Sequence, residues 1–426
     1  MLSALPTLEH MVSPGPRSRT RADACPGALS VHQAADGALA RLRAPGGLLT
    51  PEQVQLLGTA AAELGDGAVE LTSRGNVQLR AVTDPDELAR RLVAGGLLPS
   101  LTHERVRNYL VSPLTGRVGG VVDVRGWVGE LDRRLCADER LAGLPGRYLT
   151  SFDDGRGDVS PLAADVGIHV VDAARVAVLV AGRDHGIRVG HDRAVDAVLA
   201  AAHLFLDLRS NQWRIAELAG GGAELATALA AQLAVRLDDP GTDQIAGRIE
   251  LRTDGRPPIG WFDHDCAVAP GAATPGAVTL GAAVPLGRVS ARLCEFLAAT
   301  ERPIVVTPWR TLLICDLDDW SAEQVVRVLA PMGLVFDENS PWTRVSACAG
   351  RPGCAKALAD VRVDASAAVS TRLLPDGAAL GDGELVHFAG CERRCGRPRG
   401  EVTDVVATGS AYRVDRDPAP SDPTEP

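Results

Sequence analysis

Val69-Glu70-Leu71-Thr72-Ser73-Arg74-Gly75-Asn76-Val77-Gln78-Leu79-Arg80-Ala81-Val82 is two β-rich runs, Val69 to Thr72 and Val77 to Val82, joined by a polar turn. The same pattern returns at Ile304-Val305-Val306-Thr307-Pro308-Trp309-Arg310-Thr311-Leu312-Leu313-Ile314-Cys315-Asp316-Leu317, and the two stretches overlay without a gap when Thr72 is set on Thr307. Outward from the first pair, a helix with apolar Val54, Leu57, Ala60 and Leu64 starts at Pro51, and a second helix runs from Pro85 to about Ala94. Outward from the second pair, a helix from Val289 carries Leu293, Phe296 and Leu297, and another spans Ala322 to Met332. Both copies leave their last helix through Gly-Leu, at Gly96-Leu97 and Gly333-Leu334. The pattern predicts a duplicated αββα-type half. It also predicts an asymmetry, because Trp309 stands where the first copy has Arg74, and Arg310 falls opposite Gly75.

Each small half is followed by a larger unit. In the first, Val166 to Val171 and Arg175 to Val180 read as a hairpin across Asp172-Ala173-Ala174, and an Ala/Leu-rich helix follows from Ala194 to about Leu208. The organisation is an N-terminal extension at 1–35, a first small repeat at 36–100, a larger α/β unit at 101–237, a second repeat at 245–336, a cysteine-bearing unit at 337–414, and an Asp/Pro/Ser-rich tail at 415–426 expected to be disordered.

The 426 residues are 46% apolar and 23% charged, which fits a globular chain with a sizeable core and excludes collagen-like or mucin-like polymers. Apolar stretches such as Ala194 to Leu206 are interrupted by Asp196 and His203, so no membrane span is expected. Met1 to Pro26 lacks a continuous hydrophobic segment behind a basic start, which argues against a signal peptide; Met11 is an alternative start, and the expected compartment is the cytoplasm. A net charge of -10 excludes a broad nucleic-acid or anionic-membrane surface, so an anionic ligand must be met by a local basic pocket. Such a pocket would be built of arginine, since Lys356 is the sole lysine.

Nine cysteines without a secretory signal read as thiols in a reducing compartment. Cys348 and Cys354 bracket Ala349-Gly350-Arg351-Pro352-Gly353, and Cys391 and Cys395 bracket Glu392-Arg393-Arg394. These spacings match structural zinc sites poorly and suit a 4Fe-4S cluster, whose ligand loops must pass around its corners and leave backbone N–H groups facing sulfur. Cys294 and Cys315 fall in helix and strand patterns and read as small buried hydrophobes, whereas Cys25, in Ala24-Cys25-Pro26-Gly27, reads equally as packing or as a site residue.

With the duplicated layout, the cysteine pairs, the Thr72 to Gln78 turn and the Arg107-Asn108 pair together, the chain resembles the sirohaem-type sulfite/nitrite reductase superfamily over about Asp36 to Val414. That resemblance implies an α+β fold with two ferredoxin-like repeats and two larger α/β units about a pseudo-twofold axis. It implies a 4Fe-4S cluster on Cys348, Cys354, Cys391 and Cys395, beside a tetrapyrrole in a basic cleft faced by Arg74 and Arg107. The small-anion reductases carry a Pro-Arg-Lys-x-Lys-like run, and this chain instead has Leu144-Pro145-Gly146-Arg147-Tyr148-Leu149, keeping one charge and losing the other.

One branch, the precorrin-3B synthases, is similar in length and in the pattern Ala24-Cys25-Pro26-Gly27, Asp36-Gly37, Arg41 to Arg43 and Pro45-Gly46-Gly47, and in Cys391 to Pro398. It implies oxygen-dependent hydroxylation and γ-lactone formation on precorrin-3A in aerobic cobalamin biosynthesis. Its partners would be the tetrapyrrole substrate, dioxygen and an external electron donor, and Arg74, Arg107 and Arg147 would clamp substrate carboxylates. The branch is associated with a non-haem iron beyond the cluster. His185 and His191, with Asp184 and Asp192, are the nearest local grouping, but they fall in what reads as a Gly-rich surface loop, and no iron ligands are assigned. The alternatives are a nitrite or sulfite reductase that holds sirohaem itself, and a non-catalytic iron–sulfur or zinc protein.

Overall fold

The two threonines set opposite one another in the sequence build the same turn. In the computed structural model, which describes residues 23, 25–235, 249, 251, 256–264 and 276–416, Thr72 Oγ1 accepts from the N–H of Arg74 at 3.4 Å and of Asn76 at 3.1 Å. Thr307 Oγ1 accepts from Trp309 and Thr311, each at 3.3 Å. A short polar side chain that satisfies two backbone donors is a turn-forming device, and both copies use it. The residue after each Arg74/Trp309 position is left-handed, with φ +64° at Gly75 and +58° at Arg310. Only the first copy supplies a glycine there, so Arg310 holds a conformation that L side chains rarely adopt.

The first half contains β1 (His32–Ala34), β2 (Gly37–Leu42), β3 (Leu48–Leu49), α1 (Pro51–Leu64), β4 (Ala68–Leu71), β5 (Val77–Val82) and α2 (Pro85–Ala94). The larger unit after it contains β6 (Tyr109–Val111), α3 (Arg125–Ala137), β7 (Thr150–Asp153), β8 (Val166–Val170), β9 (Arg175–Val180), β10 (Arg183–Gly190), α4 (Ala194–Leu208) and α5 (Ala223–Gln232). The second half contains β11 (Gly260–Asp263), β12 (Val278–Ala283), β13 (Arg288–Ser290), α6 (Ala291–Ala298), β14 (Ile304–Val306), β15 (Thr311–Leu317) and α7 (Asp319–Leu329). The last unit contains β16 (Val345–Ala347), α8 (Val361–Thr371), β17 (Leu385–Ala389), β18 (Val402–Ala407) and β19 (Tyr412–Asp415).

The register repeats as the overlay requires: Val69 faces Leu79 across β4–β5, and Ile304 faces Ile314 across β14–β15. Each half lends one short strand to the other. The first sheet runs β1-β2-β5-β4-β13 and the second β11-β12-β15-β14-β3, so the strand before α1 completes the second sheet and the strand before α6 completes the first. The two halves consequently share one hydrophobic core, to which Leu57, Leu79, Ile304 and Ile314 all belong. The exchange demands close backbone approach. A Cβ on Gly47 would stand 1.9 Å from the Val306 carbonyl oxygen, and Gly47 has φ +73°, so only glycine fits.

The larger unit is a sheet ordered β10-β9-β8-β7-β6 with β6, β7 and β8 parallel, packed on α3, α4 and α5. The last unit has β16, β17 and β18 parallel and β19 antiparallel, with α8 on its face.

Three local expectations change. The last helix of the second half starts at Asp319, not Ala322, because Asp318 caps it by accepting the Ser321 N–H at 2.9 Å. The 183–190 stretch is strand β10 with a bulge rather than a loop, and the Asp184 carboxylate is taken by Arg188 at 2.7 Å. Each half also begins with strands ahead of its first helix, which the αββα pattern omitted. Met11, Cys266 and 417–426 of the tail lie outside the described residues; β19 continues through Asp415. No helix among the described residues is long and apolar enough to cross a membrane.

Candidate functional site

Parallel strands in the last unit place Cys348 beside the turn that carries Cys391 and Cys395. Cys348 directly follows β16 and its N–H bonds to the Phe388 carbonyl at 3.0 Å, while Cys391 and Cys395 lie in the turn after the neighbouring β17. Each cysteine pair closes on itself through backbone bonds, with Cys354 N–H to Gly350 O at 2.8 Å and Arg394 N–H to Cys391 O at 3.2 Å. The Gly390 N–H points at Cys348 Sγ, 3.2 Å away. A Cβ on Gly390 would stand only 2.7 Å from the Ala357 Cβ, so the glycine keeps that donor open to sulfur. Burial pushes the Cys395 thiol pKa up, and Cys348, Cys391 and Cys354 push it further while Arg393 opposes them. The four thiols are therefore near enough to act on one another's charge. Yet no three His, Cys, Asp or Glu side chains among the described residues lie together tightly enough to grip a single ion. Four thiols with a backbone donor aimed at one of the sulfurs have the donor chemistry of an iron–sulfur ligand set.

Both repeats brace the cysteine loops. Arg80 on β5 grips Asp36 at 2.8 and 2.9 Å and donates to the Gly353 carbonyl at 2.6 Å. Arg310, from the strained turn of the second half, donates to the Gly396 carbonyl at 3.2 Å. Arg394 and Arg397 turn inward onto the fully buried Asp404 at 3.1 and 3.0 Å. Beneath them His387 bonds Ser346 through Nδ1 at 2.9 Å, and burial, followed by Arg310, pushes its pKa down to about 3, so it is neutral.

Beside the cysteine loops, arginines from four parts of the chain converge. Arg41 lies on β2 and donates to Gln78 Oε1 at 3.1 and 2.8 Å; Gln78 in turn donates to Glu70, whose carboxylate is already paired with Arg362 at 2.5 Å. Arg43 is 2% exposed, donates to Cys25 Sγ at 3.3 Å and to the carbonyls of Pro26 and Arg105, and leaves Nη1 with no partner. Arg74 donates to the main-chain oxygen of Arg147 at 3.2 Å, and the Arg147 guanidinium lies 4.9 Å above the Trp213 ring. Among the described residues Arg41, Arg43, Arg74, Arg147 and Arg310 have no carboxylate partner. Burial lowers the Arg74 pKa to about 9, with Arg214 the next cause, and the Arg43 pKa to about 10, where Cys25 works against the shift. Arg41 and Arg310 shift the same way for the same first reason. At these values Arg74 and Arg43 remain cations at pH 7, and the cluster is a local patch of positive charge in a chain of net charge -10, opposed through space by Glu70, Glu104 and Asp165.

Of the three arginines expected to clamp a ligand, Arg74 and Arg147 are brought together and Arg107 is not. Arg107 is 4% exposed and closes a two-toothed pair with Asp132, 2.8 Å on both arms, with a third bond to Leu97 O. A guanidinium whose fork is filled by Asp132 has none left for a ligand carboxylate. Sequence reading assigned no role to Arg41, Arg43 or Arg310. The signal for the first two was present, since residues two apart at a strand end share a face. The Arg310 position follows only from the exchange of strands between halves.

Leu149 is buried in an apolar patch with Leu110, Val159 and Ala164, against which Trp309 packs. Hence Trp309 is a packing residue, and no basic group stands at the second position of the Arg147-Tyr148-Leu149 run.

Residues 32–90 match the family model described as the nitrite/sulfite reductase ferredoxin-like half domain. Among solved structures, the chain is similar to the NirA protein of Mycobacterium tuberculosis, with a TM-score of 0.69 at 22% identity, covering 88% of this chain and 74% of that one. The fold is therefore the nitrite/sulfite reductase-like one, with residues 32–90 as a ferredoxin-like half domain. Among curated proteins, the chain is similar to a precorrin-3B synthase from Sinorhizobium sp, 26% identical over 419 residues, covering 92% of this chain and 82% of that protein. A ferredoxin–nitrite reductase from Leptolyngbya laminosa is 24% identical over 416 residues, covering 88% and 77%.

Proposed function

We propose that the chain is a precorrin-3B synthase, which hydroxylates precorrin-3A with dioxygen at the meso carbon destined for removal and closes a γ-lactone from an acetate side chain. The observation that carries the reading is the cluster of five arginines that have no carboxylate partner among the described residues. Uncompensated buried cations cost folding free energy, and a ligand with several carboxylates supplies the missing partners. Precorrin-3A is such a ligand. The apolar Leu149 patch supports the same choice, because reduction of a small oxyanion calls for concentrated positive charge there.

In this reading Arg74 and Arg147 hold acid side chains of the substrate, with Arg41, Arg43 and Arg310 completing the cradle, while Arg107 shapes the site from behind through Asp132. Cys348, Cys354, Cys391 and Cys395 would hold a 4Fe-4S cluster, which supplies single electrons when bound. Arg80 and Arg310 fix the two cysteine loops against the repeats and so set the distance between cluster and substrate. An external donor would provide the electrons.

The test is turnover. Protein prepared without oxygen, given precorrin-3A, a reductant and then dioxygen, is expected to yield a product one oxygen atom heavier, and none in argon. Reduction of nitrite or sulfite at the same preparation's expense, with precorrin-3A untouched, would overturn the reading.

A further inference from the structure

Cys25 sits where neither packing nor ligand binding accounts for it. It precedes the first strand, yet its thiol accepts from Arg43 Nη2 at 3.3 Å, and Arg41 and Arg74 both feel its charge. Arg43 is itself almost fully buried, and its second nitrogen, Nη1, has no partner. A half-buried thiol facing a buried, under-satisfied guanidinium has the electropositive, partly accessible setting of reactive cysteines. Cys136, also half-buried, lies near Asp132, and Cys294 and Cys315 are buried.

The surroundings of Cys25 couple it to the ligand cradle. Asp23 clamps two backbones together, accepting the Cys25 N–H at 3.0 Å through one oxygen and the Gly146 N–H at 2.5 Å through the other. Gly146 is packed so closely that a Cβ placed on it would stand 2.9 Å from the Cys25 Cβ. The next residue is Arg147, whose main-chain oxygen holds Arg74. The Cys25 side chain thus lies against both Arg43 and the Gly146-Arg147 turn, so an oxygen added to its sulfur alters the contact with Arg43 and stands next to the turn that holds Arg74.

We propose that Cys25 is an oxidation site built into the wall of the arginine cluster, where hydrogen peroxide converts the thiol to a sulfenic acid and the added oxygen loosens the grip on a polyanionic ligand. The sulfur–oxygen bond forms as the peroxide O–O bond breaks; sulfur loses two electrons, one peroxide oxygen stays on Cys25, and the other leaves as water. The oxidation stands on the geometry around Cys25 alone, whereas its effect on a ligand rests on the polycarboxylate reading above.

Full-length protein prepared without oxygen is exposed briefly to hydrogen peroxide, trapped with dimedone and mapped by peptide mass spectrometry. Cys25 is expected to label at least tenfold faster than Cys136, and Arg43→Met to remove most of that advantage. In parallel, uroporphyrin, a stable tetrapyrrole polycarboxylate, is titrated by fluorescence anisotropy. Peroxide is expected to raise its Kd at least tenfold, dithiothreitol to restore it, and Cys25→Ala, or Cys25→Ser if the alanine variant does not fold, to change less than twofold under the same treatment. Labelling of Cys25 no faster than Cys136, or complete labelling with an unchanged Kd, would overturn the proposal. Failure of untreated protein to bind uroporphyrin would count against the polycarboxylate reading, and the labelling ratio would still decide the oxidation site.

Discussion

Replacing Arg74 by Met should stabilise the ligand-free protein and weaken it as a tetrapyrrole binder. Among the described residues the guanidinium has one hydrogen bond, to Arg147 O at 3.2 Å, and no carboxylate, and burial with Arg214 nearby holds its pKa at about 9, well below the ordinary arginine value. At about 1.36 kcal/mol per pKa unit, keeping it charged in the fold costs on the order of 5 kcal/mol. Solvent entry and relaxation around a half-buried group remove about half of that, and the lost hydrogen bond returns about 1 kcal/mol. The net expectation is a gain of about 1.5 kcal/mol, read as a rise of roughly 1–3 °C in thermal melting of a chain this long. Binding should move the other way. A charge-assisted contact to a carboxylate is worth about 1.5–3 kcal/mol, so the Kd for uroporphyrin should rise roughly 10- to 150-fold. Thermal melting and anisotropy titration of the same preparations check both signs. A variant that melts lower and binds unchanged would make Arg74 a structural residue and refute the argument.

Asp132→Ala strands the buried Arg107 and should cost about 3–5 kcal/mol in thermal or denaturant unfolding, while uroporphyrin affinity of the folded fraction stays within threefold. Gly47→Ala forces a side chain to within 1.9 Å of the Val306 oxygen at φ +73° and should cost more than about 2 kcal/mol in the same assay, because strand exchange between the halves must loosen. Burial, and then Asp153, raises the Asp158 pKa from 3.8 to about 7. The folded protein therefore keeps a proton that the unfolded chain releases, so stability should fall as pH rises from about 4 to about 7. Asp158→Asn should flatten that slope and gain about 1–3 kcal/mol at pH 8 in denaturant titrations.

The duplication was legible because Thr72 and Thr307 do the same chemistry: a hydroxyl that satisfies two backbone donors fixes turn length, and turn length fixes register. The exchange of β3 and β13 between the sheets was not legible, since two- and three-residue strands carry no periodicity, and their partner is chosen by tertiary packing. The cysteine quartet was read from spacing in the chain, and Cys348 is placed against the turn of Cys391 and Cys395 only by the pairing of β16 with β17. The arginines divided differently. Arg107 and Arg74 look alike as letters, and only the position of Asp132 on α3 turns one into an internal ion pair while the other stays open. Arg43 and Cys25 gained their meaning from a contact between the segment before β1 and the end of β2, which no local pattern encodes.

In the proposed function, the arginine cluster receives a tetrapyrrole substrate instead of a resident haem. The direct measurement is to purify the protein without oxygen, record its absorption spectrum, and extract it for iron, sulfide and tetrapyrrole. Iron and sulfide with cluster absorption, no sirohaem, and uptake of added precorrin-3A are expected. Stoichiometric sirohaem in the extract would contradict the proposed function.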